Sequence, residues 1–128
     1  MALSKDAQNL LVEATRLIGI PGVWIQGKLT GDKEQTTYCA LGAICKAAEL
    51  KGPITVNTYL EPTIHEVVRA VSKTIQDIDL ASHVAAAQIA LFNDKSTTTQ
   101  ADVREIFCKT VKREVTDDTD QDTTATPD

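Results

Sequence analysis

Ala7, Leu10, Leu11, Ala14, Leu17 and Ile18 recur at intervals of three and four residues, and the same spacing returns further along the chain. Ile64, Val67, Val68, Val71 and Ile75 form a second stripe, and Val103, Ile106, Phe107 and Val111 a third. Apolar residues at that spacing line one side of an α-helix and neither face of a strand. A chain built on such stripes folds by packing helices together. Its interior is restricted too, since aromatic residues make up 4% of the sequence and hydrophobic residues 42%. Aliphatic side chains and alanines must fill the core, which suits close-packed helices better than a β-sandwich.

Punctuation between the stripes sets the boundaries. Ser4 is placed to cap the first helix, with Asp6 in its first turn, and "GIPG" (19–22) ends it. "VWIQGKLTGDKEQ" (23–35) has too few apolar residues for a helix and reads as an irregular or short extended segment. The second helix is predicted from Thr36–Thr37 to about Leu50, stopped by Gly52 and Pro53. Thr58 or Glu61 opens the third, with Pro62 in its first turn. "DIDLAS" (77–82) connects to a fourth, capped by Ser82 and ended at Asn93–Asp94, where Asn tolerates a left-handed cap. Thr98 or Thr99 caps the fifth, Asp102 stands at the capping-box position, and Lys109, Lys112 and Arg113 suit the last turns. The expected fold is mainly α, a compact bundle of about five helices over residues 1–114, with one irregular or short extended segment between helices 1 and 2. Residues 115–128, "VTDDTDQDTTATPD", offer nothing to offset the entropy of ordering them and read as an acidic disordered tail.

The net charge of −5 resides in that tail, because Asp117, Asp118, Asp120, Asp122 and Asp128 leave 13 acids against 13 bases in the body. A neutral body gives no electrostatic case for nucleic acid or an acidic membrane. "MALSKDAQNL" has no apolar signal core, and no apolar run approaches the roughly 18 residues of a membrane span. Three cysteines, Cys39, Cys45 and Cys108, form an odd count without metal-ligand spacing. Reduced thiols in a cytoplasmic protein are the expectation, with no metal and no cofactor. Neither G-x-G-x-x-G nor G-x-x-x-x-G-K-[ST] occurs, so a glycine-rich phosphate loop is unsupported.

Cys39 is expected one turn into the second helix, where exposed N–H groups and the dipole favour a thiolate. With His83 and Asn93 it gives the order of a thiol triad, although a buried packing cysteine explains it as well. Gly42 follows in the helix interior, where glycine costs about 1 kcal/mol against alanine. Close approach by another backbone or a ligand would justify it, making this the central helix. Trp24 reads as a core anchor and Gln26 as a loop-tying amide.

W-x-Q-G (24–27), then "YCALGAICKAA" (38–48), then "FND" (92–94) ahead of a Thr-capped "ADVREIF" helix together resemble a known family. It is a small uncharacterised family of actinobacterial and bacteriophage proteins, a domain of unknown function, and the resemblance spans roughly residues 5–111. Its members often carry Trp where this chain has Phe92. The resemblance implies a shared domain in which Trp24, Gln26, Cys39, Gly42, Asn93 and Asp94 come together. It implies no activity. Converging, these groups would either form a polar pocket for a small polar ligand or a peptide end, or tie two loops onto a helix.

The leading expectation is a non-enzymatic accessory or binding protein, of phage type, acting on a small polar ligand or a host protein through a pocket near Trp24, Cys39 and Asn93. One alternative is a cysteine-dependent hydrolase or transferase using Cys39. The other makes the motif purely structural, with function at a surface or an oligomer interface.

Overall fold

Ser4 starts the first helix as expected. In the computed structural model, which describes residues 3–27, 37–48, 61–78 and 80–115, its hydroxyl accepts the Ala7 N–H at 3.2 Å and caps α1, Lys5–Ile18. Its own N–H and Oγ donate to the Glu66 carboxylate at 2.9 and 2.8 Å, tying the cap to a distant part of the chain. The whole predicted stripe from Ala7 to Ile18 is buried. At the other end, the Gln100 amide donates to the carbonyls of Ile18 and Ile20 at 2.9 and 2.8 Å, satisfying groups that a helix terminus leaves open. Arg104 lies over Gly19 so closely that a Cβ there would come within 2.9 Å of its Nε.

The second helix, α2, spans Ala40–Ala47 and starts later than the predicted Thr36–Thr37. The cause is a pair of backbone hydrogen bonds between residues 23–25 and Tyr38. Tyr38 N–H donates to the Val23 carbonyl at 2.8 Å and Ile25 N–H to the Tyr38 carbonyl at 3.2 Å, a parallel bridge between Trp24 and Tyr38. Those bonds hold Tyr38 extended, and Cys39 follows at φ −85° and ψ −174°. Cys39 is therefore the N-cap itself and does not lie one turn inside. Thr36 and the expected stop at Leu50, Gly52 and Pro53 lie outside the described residues.

Ala40 through Cys45 are all buried. Six successive helical positions sweep the full circumference, so this stretch of α2 has no solvent side. It packs against α1, α3 (Pro62–Gln76) and α4 (Ser82–Asp94), but the central position expected for it falls to α3, which packs against all four other helices. Gly42→Leu should then destabilise by roughly 1–3 kcal/mol or more through overpacking, with Gly42→Ala affected less. Urea melts measure this; two variants indistinguishable from wild type would remove the close-approach explanation for Gly42.

Glu61 and Pro62 open α3 as expected, and Asp77, at φ 57° and ψ 39°, ends it in the left-handed conformation. The α4 helix begins one residue earlier than predicted, with Ala81 as N-cap and Ser82 as its first residue. Asn93 and Asp94 remain helical, and the chain leaves through extended Lys95, ψ 135°. The left-handed cap expected at Asn93 is found instead at Asp77. Thr99 caps α5, Gln100–Glu114, in a reciprocal capping box: Asp102 N–H donates to Thr99 Oγ1 at 3.2 Å, and Thr99 N–H to Asp102 Oδ2 at 2.9 Å. Val103 and Phe107 enter the core, with Ile106 and Val111 packed half-buried against it.

Among the described residues the architecture is the expected one, an all-α bundle of five helices; residues 28–36 of the segment expected to be irregular lie outside them. The acidic segment 116–128 lies outside the described residues. Among the described residues no helix is long and apolar enough to cross a membrane.

Candidate functional site

Helical spacing alone sends Asn93 inward. It lies seven and four residues after the buried Ala86 and Ile89, on the same side of α4. A primary amide there has two donors and two acceptor sites to satisfy, and leaving them unpaired in the interior is costly. Asn93 is fully buried and satisfies all four. Its Oδ1 accepts from the Trp24 indole Nε1 at 2.7 Å and from Ala40 N–H at 3.0 Å. Its Nδ2 donates to the Ile25 carbonyl at 3.0 Å and to Asp94 Oδ1 at 3.0 Å. Two N–H donors can face only oxygen and a carbonyl can face only N–H, so the chemistry fixes which way the amide points.

The neighbours extend the pattern. Gln26 Nε2 donates to the carbonyls of Asn93 and Lys95, both at 2.9 Å, covering the open C-terminal end of α4. Asp94 Oδ1 also accepts Gly27 N–H at 2.8 Å. Gly27 sits at φ +86°, which explains the glycine of W-x-Q-G, since a Cβ there would meet nothing and the demand is on the backbone alone. Cys39 Sγ accepts Gly42 N–H at 3.5 Å, closing the N-terminus of α2.

Trp24, Gln26, Cys39, Gly42, Asn93 and Asp94 are thus brought to one place. Asn93 directly joins residues 24–25 to the start of α2, through Trp24 and Ile25 on one side and Ala40 on the other. Sequence reasoning could not find half of this network, because Ala40, Ile25 and Lys95 take part through backbone atoms. Tyr38 was missed as well; its bridge depends on a register that no spacing announces.

His83 is not brought in. It lies ten residues before Asn93 on the same helix, about 15 Å along the axis, while Cys39 precedes the residue bonded to Asn93. Cys39 is buried, and burial pushes its thiol above the ordinary value despite the opposing Gly42 and Leu41 N–H groups. Cys45 is pushed up to about 12, by burial first and by Cys39 second. Cys108 alone is exposed. Among the described residues no three His, Cys, Asp or Glu side chains are grouped as metal ligands.

A model of a family of unknown function, DUF6197, matches residues 3–113. The chain belongs to that family. No curated protein and no solved structure matches it. The matched residues take in the whole Asn93 network and all five helices except Glu114 at the end of α5.

Apart from the network, an open cleft of about 610 Å³ lies between α1, the end of α2 and the start of α3. Leu10, Ala47, Ala48 and Ile64 contribute apolar surface there, and Asp6 and Glu61 carboxylates.

Proposed function

We propose that this DUF6197 member is a non-enzymatic binding or accessory protein whose motif residues build the frame and whose recognition takes place on its outer surface. The observation that carries this reading is the state of Asn93, which has no hydrogen-bonding capacity left for a ligand. Trp24 has one N–H, and it is held by Asn93. A polar pocket at Trp24, Cys39 and Asn93 would have to dismantle the links that position its own walls. A small polar ligand is better accommodated by the cleft beside α1, and a host protein by an exposed helix flank. The resemblance to bacteriophage and actinobacterial proteins, and the cytoplasmic setting, belong to this proposal.

The thiol-enzyme alternative makes the opposite demand on Cys39, since a nucleophilic thiol must be accessible and ionised near neutral pH. The test is peptide-resolved iodoacetamide labelling of folded protein across a pH series. Cys108 should label first, while Cys39 and Cys45 stay slow until denaturant is added. The sign follows from burial: a raised thiol pKa keeps Cys39 protonated through and beyond its ordinary value of 9.0. Rapid labelling of Cys39, with an apparent pKa well below that value, would overturn the binding reading and establish thiol chemistry.

A further inference from the structure

We draw no further inference here: the strongest candidate, the open cleft between α1, the end of α2 and the start of α3, carries nothing because its charged lining, Asp6, Glu13 and Glu61, is an acidic cluster in which Glu13 is already paired with Arg16, and no second observation points to a ligand there.

Discussion

Asn93→Ala is expected to destabilise the protein by about 3–5 kcal/mol, the range of a broken buried polar network. The substitution removes a side chain that makes four hydrogen bonds and leaves the Trp24 indole, the Ala40 N–H and the Ile25 carbonyl without the partner that holds each. Unpaired buried groups of this kind cost about 1–3 kcal/mol apiece, with partial relief where water or relaxation reaches them. Asn93→Asp should not restore stability. Its oxygens can still accept from Trp24 and Ala40, but one of them then faces the Ile25 carbonyl and the Asp94 carboxylate, acceptor against acceptor. Trp24→Phe, which deletes only the indole donor and some ring surface, should be milder than Asn93→Ala. The two should couple in a double-mutant cycle by about 0.5–3 kcal/mol. Denaturant unfolding with a two-state fit measures all of these. A loss under about 1 kcal/mol for Asn93→Ala would mean that the network is decoration and that its residues are free to serve a ligand.

The same network shows what could be read from the amino acids and what could not. The five helices were legible because their signals are local: apolar stripes at helical period, Ser4 and Thr99 as caps, Asp102 completing a capping box, Pro62 at a helix start. The gathering of Trp24, Gln26, Cys39, Gly42, Asn93 and Asp94 was anticipated from the resemblance of three separated motifs, and no periodicity points to it. Its meaning was open until the atoms were placed. Whether an amide faces a cavity or another part of the chain depends on contacts across 53 to 69 positions of sequence, as between Asn93 and Ala40 or Trp24. Half the partners are backbone groups, which every residue carries and no motif marks. The late start of α2 has the same origin. Thr37 and Tyr38 are compatible with a helical turn locally, and the bridge to Trp24 overrides that preference.

Phe107→Ala should match the Asn93 variant in size by a different route, at about 3–5 kcal/mol. Phe107 is fully buried and is the largest such side chain among the described residues, in a core otherwise made mostly of aliphatics and alanines, with Tyr38 the other buried aromatic. With few aromatics in the chain, no neighbour of comparable volume can move in to fill the space. The surrounding helices are also held against collapse by polar links. Gln100 binds the end of α1, Thr110 pairs with Thr74 of α3 at 2.6 Å, and Arg113 reaches the Ala70 carbonyl at 2.8 Å. Those bonds fix α5 along its length against α1 and α3, so the vacated volume should persist as a cavity, and the cavity contribution adds to the lost transfer energy. Phe107→Leu, which keeps most of the apolar volume, should recover a large part of the loss. Thermal and denaturant melts of the pair decide the matter. If Phe107→Ala were nearly neutral, α5 would have to be free to settle inward, and the three polar ties to α1 and α3 would not be acting as constraints.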